Sequence, residues 1–106
     1  MKNFLVFIKY KVPIEEVEHH TPAHREYLKS QYERGILLLS GPFVPRTAGV
    51  LWAQALERSV IEAMIAEDPF HVRGVASYEV QEFKPVMFAE QLRPILEAQD
   101  LSVTRN

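Results

Sequence analysis

The chain has 106 residues, 47% hydrophobic and 25% charged, which suits one soluble domain that hides roughly 65% of its unfolded surface without covalent staples. With no cysteine, disulfides, thiolate metal centres and thiol nucleophiles are excluded by residue type. Twelve basic against fourteen acidic residues give a net charge of -2, and no basic stripe offers a track for a phosphate backbone, so nucleic acid is not expected as a partner.

The apolar opening from Met1 to Ile8 stops at Lys9-Tyr10-Lys11 without a small-residue cleavage site, so a buried first strand from Phe4 to Tyr10 is expected rather than a signal peptide. Val12-Pro13 closes it. No apolar run approaches the roughly 20 residues that span a bilayer, so no membrane partner and a cytoplasmic location are expected. Thr21-Pro22 reads as an N-cap and first-turn proline, predicting a helix from Thr21 to Arg34 that Gly35 ends, with Ile14 to His20 as a separate short turn. Along this helix His24, Tyr27, Leu28, Gln31 and Tyr32 recur every three or four residues, a face for a sheet to cover, while Arg25, Glu26, Lys29 and Glu33 face water.

Ile36 to Ser40 reads as a second strand and Val50 to Leu56 as a third, joined by a hairpin loop through Pro45-Arg46-Thr47-Ala48-Gly49. Ser59 then caps a second helix through Glu67, with Glu62 completing a Ser-x-x-Glu capping box, and Asp68-Pro69 stops it. After Gly74, the alternation of Ala76, Tyr78 and Val80 with Ser77, Glu79 and Gln81 predicts a last strand whose polar side lines a site. A segment around Met87 to Leu96 follows, and the tail beyond Asp100 is expected to fray. The order is ferredoxin-like βαββαβ: one α+β domain over residues 1–106, core about 4–84, extension about 86–98. Helices then cover one face of the antiparallel sheet, and the other, bearing Trp52 or Leu51 and Phe83, needs a cover that a second copy of the chain would supply.

Few side chains here bear chemistry. His24 and Asp68 form a general acid/base pair if the fold joins them; otherwise the histidine packs on the sheet and the aspartate ends a helix. If Thr21 caps the helix, His24 lies in its first turn, where unpaired amides disfavour an added positive charge and a neutral imidazole is expected. Ser40 and Gly41 are second-rank cleft candidates, since glycine permits close backbone approach to a ligand but also a strand bend. Glu16, His20 and His24 have metal-ligand spacing on a continuous helix, but a restart at Thr21 would separate the imidazoles, so no metal is expected. No Gly-x-Ser-x-Gly elbow and no Walker or Rossmann glycine loop is present. Trp52, Phe43, Tyr78 and Phe83 are a potential planar pocket, with core as the default; Arg46 and Arg73 are weak candidates for holding a substrate carboxylate.

Three stretches, Pro22-Ala23-His24-Arg25-Glu26-Tyr27-Leu28, Gly35-Ile36-Leu37-Leu38-Leu39-Ser40-Gly41-Pro42 and Asp68-Pro69-Phe70, together resemble the YciI-like (YCII-related) family from about Phe4 to Phe83. The resemblance implies a ferredoxin-like fold pairing into a dimeric α/β barrel, with a cleft whose proposed catalytic histidine and aspartate fall on His24 and Asp68. It also implies chemistry on small aromatic compounds, since one relative is a dehydrochlorinase of a chlorinated hydroxyquinol. Additional histidines, His19 and His20 before the first stretch and His71 after the last, depart from the simplest pattern. The expected function is cofactor-independent proton transfer by a homodimer on a small aromatic or carbonyl compound, as elimination, dehydrochlorination or isomerisation. The alternative is a noncatalytic dimeric ligand-binding or accessory domain.

Overall fold

Alternation along the first strand sets the two faces of the sheet. In β1 (Lys2–Tyr10), Phe4, Val6 and Ile8 turn to one side and are buried, whereas Leu5 and Phe7 turn to the other and are half-buried. The computed structural model of the chain describes residues 1–97. The order continues α1 (Ile14–Glu33), β2 (Leu37–Pro42), β3 (Ala48–Ala55), α2 (Arg58–Glu67), α3 (Pro69–Val72) and β4 (Ala76–Phe83). All neighbouring strands are antiparallel, in the order β2-β3-β1-β4. This is the ferredoxin-like α+β fold that the residue pattern predicts.

The central pairing places Val6 between Leu51 and Val80, so Leu51 belongs to the helix-covered core at 2% exposure and not to the open face. Phe4, Val6, Ile8, Leu51 and Ala53 meet Val17 and Leu28 of α1, Ile61 and Met64 of α2, and Phe70 of α3. Each large side chain removed from water here contributes about 1.5–3 kcal/mol before entropy is counted. Trp52, opposite Leu5 and Leu39, takes the open face as expected.

Two helix starts differ from expectation. α1 does not begin at Thr21; it is continuous from Ile14 with Pro22 inside it, and the Thr21 hydroxyl donates to the Val17 carbonyl at 2.8 Å instead of capping amides. Val17, Thr21, His24, Leu28 and Gln31 form one buried stripe at alternating four- and three-residue steps, and this packing carries the helix through the proline. α2 begins one residue before Ser59 with no side-chain cap, because Glu62 pairs with Arg58 at 3.3 Å rather than closing a capping box.

The glycine stop at Gly35 operates as expected, and a second one occurs at Gly74. Gly35 has φ 77°, and the amides of Gly35 and Ile36 return to the carbonyls of Tyr32 and Gln31, a Schellman closure. Gly74 repeats it after α3, with φ 68° and bonds from Gly74 and Val75 to His71 and Phe70.

Beyond β4 the segment expected around Met87 to Leu96 turns back over the open face. A 3-10 turn at Glu90–Leu92 leads into helical residues 93–97, which bring Leu92 and Leu96 beside Leu5, Leu39, Trp52 and Phe83. Part of that face is thus covered by the chain itself. The tail beyond Asp100 lies outside the described residues.

Candidate functional site

The geometry of the site follows from the junction between α2 and α3. Proline at 69 pushes Asp68 into extended backbone (φ -65°, ψ 128°), ending α2 and making Asp68 the N-cap of α3, whose Phe70 amide donates to the Asp68 carboxylate at 3.0 Å. From the facing stripe of α1, His24 places Nδ1 at 2.7 Å from the same carboxylate oxygen, and the Tyr78 hydroxyl from β4 donates to the other at 2.7 Å. Three elements and 44 residues of separation thus converge on one carboxylate. Asp68 is 2% exposed and His24 7%, so the pair sits at the core's edge, and three donors hold the acid.

The imidazole is fixed in plane as well as in rotation. Its ring lies parallel to that of Phe70, with centroids 3.9 Å apart and planes 1° from parallel. In the tautomer in which Nδ1 donates to the Asp68 carboxylate, Nε2 carries the lone pair. No buried side-chain nitrogen or oxygen lacks a partner among the described residues, and Nε2 has no protein partner. That nitrogen is therefore open to a cleft of about 150 Å³ that His24 helps to line.

Ser40 and Gly41, at the end of β2, also line this cleft, facing α1 across it with Gly49 and Val50 of β3. The Ser40 hydroxyl is tied to Tyr32 Oη at 2.5 Å. Arg46 and Arg25 line it too, whereas Arg73 does not. The Arg46 guanidinium donates from Nη2 to the Thr21 hydroxyl at 3.0 Å and from Nε to the Tyr10 hydroxyl at 3.5 Å. Its position could not be read from the loop sequence, because the side chain crosses to α1 from a turn 25 residues away.

Burial, then the Asp68 charge and hydrogen bond, push the Tyr78 phenol far above its usual value, so it stays a donor to the carboxylate throughout the ordinary pH range. Burial also raises the Tyr27 phenol, with Glu67 and Asp68 adding to the effect against Arg34; its hydroxyl donates to the Met64 carbonyl at 2.6 Å. Tyr78 supports the site from the apolar side of β4. The polar side expected to line a site carries Glu79 instead, which pairs with Lys9 at 3.0 Å on the surface.

Several expected arrangements are replaced by others. His24 lies in the middle of α1, so the first-turn argument for a neutral imidazole does not apply. His20 and His24 do share one regular helix, yet His20 pairs with Glu16 at 3.5 Å while His24 turns to Asp68. Among the described residues no three His, Cys, Asp or Glu side chains are grouped to hold a metal ion. His19, His20 and His71 do not line the cleft. The four aromatic residues do not form one pocket either: Trp52 and Phe83 lie on the open face, Phe43 is exposed and Tyr78 is bound to Asp68.

Among solved structures the chain is similar to 5-chloro-2-hydroxyhydroquinone dehydrochlorinase (TftG) from Burkholderia phenoliruptrix AC1100, solved in complex with 2,5-dihydroxybenzoquinone. The match has 20% sequence identity and a TM-score of 0.67 and covers 77% of this chain and 93% of the other, a likeness of fold. No curated protein matches the sequence significantly. The YCII-related domain matches residues 3–84, spanning every strand and helix from β1 to β4, and the chain belongs to that family.

Proposed function

We infer that this chain is a small-molecule enzyme in which His24 moves a proton through Nε2 and Asp68 orients it, acting on a small aromatic or carbonyl compound by elimination or isomerisation. The observation that carries this reading is the 2.7 Å contact between His24 Nδ1 and a carboxylate held by two further donors, with the second imidazole nitrogen open to a cleft. A base of this kind needs a fixed tautomer, a fixed ring and access to substrate. Asp68 supplies the first, Phe70 the second and the cleft the third. When the ring takes a proton, the Asp68 charge and the Phe70 ring face compensate the charge it acquires.

The likeness in fold to a dehydrochlorinase supports chemistry on a ring bearing hydroxyl or carbonyl groups, where removing a proton next to the carbonyl drives loss of a leaving group or migration of a double bond. Such proton transfer calls for no cofactor. The reading includes a homodimer paired through the open sheet face.

Deuterium exchange into a panel of small cyclic ketones and hydroxyquinols, followed by proton NMR in D2O, tests the chemistry even while the natural substrate is unidentified. We expect the native chain to promote exchange, and His24→Ala and Asp68→Asn each to reduce it by about 10²–10⁴-fold while remaining folded. Exchange retained in folded His24→Ala, or absent in the native chain across the panel, would remove the mechanism. A folded native chain that binds panel members without exchange would be a noncatalytic binding domain.

A further inference from the structure

Among the described residues, the walls of the His24 cleft contain two cationic side chains, Arg25 and Arg46, and no Asp or Glu, in a chain whose net charge is -2. Asp68 stands behind the imidazole and does not line the cleft. Among the described residues, neither arginine has a salt-bridge partner. Arg25 is exposed on α1, but Arg46 is half-buried and held on both sides by hydroxyls.

We propose that Arg46 is the anchor for a carboxylate on the substrate, so that the cleft selects a small monoanion of about one ring. Guanidinium carries five N–H groups in a planar fork. Two of them go to Thr21 and Tyr10, which leaves both hydrogens of Nη1 and one of Nη2, the end-on pair that matches the two oxygens of a carboxylate. Thr21 already donates its own hydrogen to the Val17 carbonyl, so its oxygen receives Arg46 in one fixed sense. Anchoring two side chains rather than leaving the arginine in water lowers the ordering cost when a ligand arrives.

The spacing suits the proton transfer inferred for His24, on which this inference rests. Thr21 and His24 are three residues apart on the buried stripe of α1, about 5–6 Å between Cβ atoms. A carboxylate on Arg46 and a reacting carbon at His24 Nε2 would thus lie at opposite ends of one small molecule. Volume agrees, since a cavity of about 150 Å³ is the size that accepts a benzene ring.

The test compares benzoate with benzamide, which have nearly the same shape and differ in charge, by calorimetric titration of the full chain. NMR shifts of the His24 imidazole locate each probe. We expect benzoate to bind about tenfold more tightly than benzamide and to shift the His24 resonances, with Arg46→Gln abolishing that preference while benzamide still binds the folded variant. Arg46→Lys, which keeps the charge but not the fork, retains a reduced preference and covers the case in which the glutamine variant fails to fold. Equal binding of the two probes, no binding of either, no shift at His24, or a preference that survives in Arg46→Gln would overturn the proposal. No turnover enters these measurements, so a missing preference for benzoate counts against the anchor, while exchange retained in His24→Ala counts against the base.

Discussion

Asp68 meets three hydrogen-bond donors with two oxygens, and the Tyr78 hydroxyl is the donor that removal disturbs least elsewhere, since phenylalanine keeps the ring. Tyr78→Phe withdraws that donor from a buried carboxylate, at an expected cost of about 1–3 kcal/mol in urea denaturation at neutral pH. The same residue sets an alkaline limit. In the unfolded chain the phenol ionises at its ordinary value of 10.0, whereas in the folded chain burial and the Asp68 charge keep it protonated well above that. The stabilisation is therefore whole below about pH 10 and is lost progressively as pH rises beyond it, because only the unfolded chain releases the proton. Stability against urea measured from pH 8 upward is expected to fall above pH 10, and to fall less steeply in Tyr78→Phe; identical slopes would refute the assignment. His24 and Asp68 are legible in the sequence as a pair joined by the family pattern. Tyr78 is legible only as an aromatic on an apolar strand face, since its partner lies across a helix junction that no local spacing records.

α1 shows why local signals can misplace an element. Thr21-Pro22 has the chemistry of a helix start, yet Val17 is fully buried and in register with Thr21, His24, Leu28 and Gln31, so packing against the sheet holds one helix over 20 residues. Proline has no N–H for the carbonyl four residues earlier, and the Thr21 hydroxyl bonds backward along the helix instead of forward. The stripe is visible in the sequence once Thr21 is counted as a buried position, but a threonine beside a proline reads as a cap. Because Pro22 is exposed, its replacement disturbs no core contact. Pro22→Ala is expected to raise stability by about 1–3 kcal/mol in urea denaturation, short of the full cost of an interior proline because the helix already accommodates it. No gain, or a loss, would mean that the proline bends α1 into the angle that brings His24 to Asp68. The order of the strands is legible because the period-two alternation and the glycine stop at 35 are local and strong, whereas the Ser59 capping box gives way to the Arg58–Glu62 pair.

At the scale of the whole molecule the open sheet face is the surface through which a homodimer is expected to pair. Leu5, Phe7, Val50 and Trp52 lie there half-buried, and although the 3-10 turn and residues 93–97 bring Leu92 and Leu96 beside Leu5, Leu39, Trp52 and Phe83, Leu39 stays 50% exposed. Apolar side chains on a flat antiparallel surface gain about 25 cal/mol for each Å² removed from water, and the same face of a second copy offers such cover with twofold symmetry. Charge does not oppose the pairing, since a net charge of -2 on each chain is small and Lys9 is already paired with Glu79 at the margin. Light scattering is expected to give twice the 12.3 kDa mass of the chain, with a melting temperature that rises with protein concentration. Leu39→Asp should return the mass to that of one chain without unfolding it, because the side chain is too exposed to be essential to the protomer core and a carboxylate facing its symmetry-related copy would be buried against like charge. A native chain that scatters as a monomer would remove the homodimer, and a Leu39→Asp variant that keeps the doubled mass would place the pairing surface elsewhere. The cleft lies on the helix side of the sheet, so His24, Asp68 and Arg46 would remain assembled in the monomeric variant, and benzoate binding there should survive the loss of the dimer.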